Sequence, residues 1–156
     1  MKAASISELQ KELRSFEPKQ ILEICLRLAK YKKDNKELLS YLLFEAHDEK
    51  AYIKKIKEQM DIDFSGINRN TSYLTKKSLR KILRGVNKFI RYSGSKQTEV
   101  ELRIYFCTKV KAVRIPIDSS IVLSNLYNRE KEKIKKNLEK LHEDFQYDYQ
   151  HELERL

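Results

Sequence analysis

The chain has 156 residues, of which 40% are apolar and 36% charged, with a formal net charge of +10. That length is one domain's worth with room for a real core, and the composition is too apolar for disorder and more charged than an average globular domain. No run approaches the roughly 18–20 apolar residues of a membrane span, and three glycines with two prolines leave too few turns for a strand-rich fold, so helices with short connections are expected. Cys25 and Cys107 lie far apart inside apolar segments and read as reduced core thiols, not as a disulfide framework. Met1-Lys2-Ala3-Ala4-Ser5 has no apolar run behind it. No signal peptide is therefore expected, and the expected location is the cytoplasm.

In chain order, Ser5 with Glu8 has the form of a capping box and opens a short helix carrying Ile6, Leu9 and Leu13. Pro18 suits the first position of a second helix, with Ile21, Leu22, Cys25, Leu28 and Ala29 at helical spacing. Asp34-Asn35 is expected to break it. A third helix follows with Leu38, Leu39, Leu42 and Leu43, widened by Tyr41 and Phe44. Asp48 caps a fourth, which carries Tyr52, Ile53, Ile56 and Met60; the polar stretch from Asp61 to Asn70 reads as the first clear loop, with Phe64 and Ile67 turned inward. Thr71 or Ser72 opens a fifth helix that runs to about Tyr92. Ser93-Gly94-Ser95 ends it, Gly suiting the left-handed C-terminal position and Ser the next N-cap. The sixth helix, with Val100, Leu102, Ile104, Tyr105, Phe106 and Val110, is apolar on most sides and should be well buried. Pro116 disfavours helix before it, making 115–118 an extended connector. Ser119 or Ser120 then opens a last long helix.

The reading is an all-α single domain, 1–156, of six or seven helices. Its hairpins span about 5–63 and 71–114, and the long C-terminal helix about 119–155. A faint internal repeat supports hairpins in series: Leu28-Ala29-Lys30-Tyr31 echoes Val86-Asn87-Lys88-Phe89, and Lys36-Glu37-Leu38 through Leu42 and Phe44 parallels Thr98-Glu99-Val100 through Ile104 and Phe106. Repeated antiparallel pairs would build a bundle or a short HEAT-like right-handed α-solenoid. The segment from Ile6 to Glu49, with its short leucine helix, then Leu26-Arg27-Leu28-Ala29-Lys30-Tyr31-Lys32-Lys33, then Lys36-Glu37-Leu38-Leu39-Ser40-Tyr41-Leu42-Leu43-Phe44, resembles the N-terminal part of small uncharacterised bacterial all-helical families. The resemblance covers about a third of the chain and implies no activity.

Charge is the most informative pattern. Residues 71–118 carry 12 Lys/Arg against 3 Asp/Glu, while the flanking stretches are near balance. On the fifth helix Leu79, Ile82, Leu83, Val86, Phe89 and Ile90 share one third of the circumference. Lys77, Arg80, Lys81, Arg84, Lys88 and Arg91 lie opposite, with no acidic residue between them. Like charges at these spacings cost an isolated helix a few tenths of a kcal/mol per pair. The stripe therefore asks for an external anion or for carboxylates from elsewhere in the chain; otherwise it is a solvated, salt-screened face. Candidate partners are nucleic acid or an acidic protein. Tyr31, Tyr73 and Tyr92 could stack on single-stranded bases or serve as core edges. The loop from Arg91 to Lys96 places Ser93, Ser95 and Lys96 at the start of the sixth helix, where free N–H groups and the helix dipole favour an anion. It lacks Walker spacing, and its first reading is a plain helix-helix turn.

Catalytic chemistry is not legible. His47 among Glu45, Asp48 and Glu49 reads as a polar helix junction. Asp144, Asp148, His151 and Glu152 could share a face near the C-terminus, in a segment expected to fray. No enzyme, metal or cofactor is expected. The apolar stripe Ile134, Leu138, Leu141, Phe145, Tyr149, Leu153 and Leu156 is narrow and suits one neighbouring helix, in this chain or in a second copy. Two functions from different classes follow: a polyanion-binding module using the fifth helix and its loop, or a protein-protein adaptor using the helical surface or the C-terminal helix.

Overall fold

The computed structural model describes residues 2–156, which divide into two compact units, Met1–Phe44 and Glu45–Leu156. All the described secondary structure is helical, as the scarcity of turn formers demands. Eight α-helices form among the described residues, not six or seven, and none is long and apolar enough to cross a membrane.

In the first unit, Ser5 and Glu8 form the expected capping box. The Ser5 hydroxyl accepts from the Glu8 N–H, and the Glu8 carboxylate accepts from the Ser5 N–H at 2.7 Å. This satisfies two orphan donors at the start of α1 (Ile6–Leu13). Pro18 opens α2 (Pro18–Tyr31). The break falls at Lys32, which is extended at φ −141°, and not at Asp34-Asn35. Asn35 instead sits in the first turn of α3 (Lys33–Phe44), where its side-chain amide donates to the Leu28 carbonyl at 2.9 Å. That bond satisfies one of the last carbonyls of α2, so α3 can start almost at once. The two helices pack on each other, yet Tyr41 alone among the described residues of this unit is buried.

The second unit holds the core. Asp48 caps α4 (Glu49–Ser65) by accepting from the Ala51 N–H. This helix continues through Asp61 to Ser65, where a loop was expected. Phe64 lies four residues after Met60, so one further turn brings its ring into the core, 5.5 Å from the Phe106 ring centroid. Thr71 caps α5 (Ser72–Ser93), which ends at Gly94 in the left-handed region, φ 66°. Ser95 then caps α6 (Lys96–Ala112), accepting from the Thr98 N–H.

The expected long C-terminal helix is two. A 3-10 turn, Ile117–Ser119, breaks the extended connector and leads to α7 (Ile121–Leu138) and, after a bend, α8 (Glu143–Glu154). The bend is held from within: the Gln146 amide donates to the Leu141 carbonyl at 2.7 Å, and His142 caps α8. The turn lets α8 pack against both α6 and α7. Ile134, Leu138, Tyr149 and Leu153 of the narrow stripe are thereby buried in the same unit.

Helix α6 is the hub, in contact with α4, α5, α7 and α8, and Val100, Leu102, Phe106 and Cys107 are completely enclosed. Each such side chain contributes about 1.5–3 kcal/mol of burial. Polar groups admitted to this core are all satisfied: no buried side-chain nitrogen or oxygen among the described residues lacks a partner. The chief example is Arg103, whose guanidinium binds Glu99 at 2.9 Å and also Glu130 on α7. Lys133 reaches the other oxygen of Glu130 at 2.6 Å.

Candidate functional site

The apolar third of α5 faces inward as its periodicity requires: Leu79, Ile82, Leu83, Val86 and Ile90 are buried. This fixes the rotation of the helix and sends the cations outward. Lys77, Arg80, Lys81, Arg84 and Arg91 are exposed. No carboxylate among the described residues lies within ion-pair distance of Lys76, Lys77, Arg80, Lys81, Arg84 or Arg91. Cations elsewhere in the unit do find partners: Lys57 with Glu101 at 2.6 Å, Lys109 with Asp61 at 2.8 Å, Lys55 with Glu45 at 2.7 Å. These six cations are thus not neutralised by carboxylates of the described residues, which argues against the second of the three explanations the charge pattern allowed.

The stripe is also not a flat face. Helix α7 packs mainly on α6 and touches α5 only sparsely, leaving an open groove of about 640 Å³ between α5 and α7. Lys76, Lys77, Arg80 and Arg84 line one wall and Arg129 and Lys133 the other. Leu83, Val122 and Leu126 give it an apolar floor, and Tyr73 stands at one end. The one carboxylate in the groove, Glu130, pairs with Lys133 and with Arg103 behind it, so it answers Lys133 and leaves Lys76, Lys77, Arg80, Arg84 and Arg129 without a carboxylate within ion-pair distance among the described residues.

A second hollow of about 440 Å³ continues towards the start of α6. It is lined by Arg91, Gly94, Ser95 and Lys96, and it shares Asn87 and Lys133 with the first. The loop singled out in the sequence therefore joins the stripe in one basic channel. Its hydroxyls are engaged, however. The Ser93 hydroxyl donates to the Glu49 carboxylate, and the Ser95 hydroxyl caps Thr98. Lys96 contacts Glu99 at 3.2 Å. Burial alone would raise the Glu99 carboxyl, but the Arg103 guanidinium and the Lys96 ammonium overcome it and hold the group below its usual value. The start of α6 thus already has an anion of its own in Glu99.

Two stripe residues stand apart. Lys81 and Lys88 do not line the channel, and the Lys88 ammonium lies 5.5 Å from the Phe89 ring centroid. In their place the fold brings in Lys76, Arg129 and Lys133, which the charge count did not single out. The last two lie on α7, where both signs of charge are mixed. Their signal is a stripe of its own on α7, Val122, Asn125, Arg129 and Lys133, at helical spacing.

The other candidates for chemistry meet no matching geometry. Cys107 is enclosed and its thiol is pushed up to about 12 by burial and the nearby Glu130 carboxylate, so it stays protonated at neutral pH. Among the described residues no three His, Cys, Asp or Glu side chains are placed to hold a metal ion. His151 lies against the Tyr147 ring, 4.0 Å from Glu154. Family models, curated proteins and solved structures give no match to this chain.

Proposed function

We propose that this chain is a non-enzymatic binding module whose α5–α7 channel contacts the phosphates of nucleic acid. The observation that carries the reading is the cluster of cations on two facing helix walls, of which only Lys133 has a carboxylate within ion-pair distance among the described residues. Like charges gathered at this density weaken the fold unless an anion joins them. A chain of phosphates supplies charge at regular spacing, and guanidinium groups bind phosphate with two parallel hydrogen bonds. Two packed helical pairs, α2–α3 and α5–α6, support the accompanying reading of hairpins in series.

The test is binding of labelled RNA and DNA, followed by fluorescence anisotropy at about 50 and 200 mM salt. If about five phosphates are neutralised, affinity falls on the order of 100-fold across that range. The triple substitution Arg80→Glu, Arg84→Glu, Arg129→Glu should abolish binding without loss of helicity, since all three side chains are exposed. Absence of binding by the unaltered protein at the lower salt overturns the proposal.

A second reading, a protein-protein adaptor, rests on the first unit. Leu22, Leu28, Leu42, Leu43 and Phe44 all remain exposed there, apolar side chains that a protein partner could cover. A salt-tolerant stoichiometric complex would favour it.

A further inference from the structure

Resting on the phosphate-binding reading, we infer that the channel takes a single strand with its bases turned inward, and not a duplex. The groove offers more than charge. Its floor is apolar, formed by Leu83, Val122 and Leu126, and the Tyr73 ring at its end is 72% exposed. The side-chain amides of Asn87 and Asn125 line it as well. Neither amide makes a side-chain hydrogen bond to another described residue, although Asn128, one turn further on, bonds Ser124.

Phosphate alone would leave these features without a complement. A duplex turns its phosphates and sugars outward and keeps its bases stacked inside, so a concave surface meets only backbone. A helix can read a duplex by entering the major groove, but it must then protrude. The cations of α5 instead face α7 across a hollow. A single strand fits both halves of the site. Its phosphates meet Lys76, Lys77, Arg80 and Arg84 on one wall and Arg129 and Lys133 on the other. Its bases reach the floor, where every base has a face to stack on Tyr73 and edges for Asn87 and Asn125.

The experiment compares three probes under identical salt: single-stranded RNA of mixed sequence, the fully paired duplex of that sequence, and inorganic polyphosphate. The inference expects the single strand to bind at least tenfold tighter than the other two. Tyr73→Ser should remove roughly fivefold or more of that preference, and Tyr73→Phe should keep it, because stacking needs the ring and not the hydroxyl. Tyr73 is exposed, so neither change touches the core. Equal affinity for all three probes overturns the inference while leaving the phosphate site standing. Loss of preference in Tyr73→Phe as well as Tyr73→Ser overturns the stacking role. Failure of all three probes to bind overturns the phosphate-binding reading itself, and an acidic protein then becomes the partner to seek.

Discussion

The α2–α3 and α5–α6 pairs are both built from amphipathic helices and differ in almost everything packing decides. Phe44 is 67% exposed and Phe106 is fully enclosed. Leu28 is 56% exposed and Val86 only 1%. Both pairs carry apolar residues at helical spacing. The difference lies in neighbours. Helix α6 is packed by α4, α7 and α8 as well as α5, whereas α2 and α3 pack chiefly on each other. Periodicity writes the same instruction twice, and only the pair that receives further helices carries it out.

The largest way to test that contrast is to make the same deletion in both pairs. Phe106→Ala should destabilise the protein by about 4 kcal/mol, through lost transfer energy and a cavity. Phe44→Ala should change stability by less than about 0.5 kcal/mol, as at any exposed site. Urea unfolding measures both, and similar losses would erase the distinction.

Next in size is the ionic link between α6 and α7. Glu130→Ala leaves Arg103 buried with Glu99 as its remaining partner, and should cost about 3 kcal/mol in the same assay. No comparable buried charge exists among the described residues of the first unit.

Smaller effects come from the turns. Gly94 stands in the left-handed region, where a Cβ is strained even though the space around it is open. Gly94→Ala should therefore cost about 1 kcal/mol. Lys32, in the corresponding turn of the first pair, is extended, so Lys32→Ala should be close to neutral in thermal unfolding.

The smallest effect is on acidification. The folded-state carboxyl of Glu99 titrates below its usual value near 4.5. Its contribution is therefore fully present above that value and lost as pH falls through the lower, folded one. Stability followed from pH 6 downwards should decline more in the unaltered protein than in Glu99→Gln. Parallel curves would mean that Glu99 contributes nothing to the acid response.

The site divides in the same way as the fold. Lys77, Arg80, Arg84 and Arg91 were legible because one helix carries them all, and a helix's own 3.6-residue period places them together. Arg129 and Lys133 were not, because which face of α7 meets α5 depends on where α7 rests on α6. The bend after Leu138 was equally hidden. It depends on Gln146 reaching back to the Leu141 carbonyl, a local bond that no periodicity announces.

Composition and spacing alone determined the helical class, the positions of most caps, the inward face of α5 and the concentration of charge upon it. These are properties of single helices, fixed by backbone geometry within a few turns. Tertiary structure decided that Lys76, Lys77, Arg80 and Arg84 border a groove against α7, that no carboxylate among the described residues lies within ion-pair distance of these four, and that Ile134, Leu138, Tyr149 and Leu153 of the C-terminal stripe are buried inside their own unit. Those outcomes depend on contacts between residues far apart in the chain, where the energy of burying α6 sets the place of α4, α5, α7 and α8 around it.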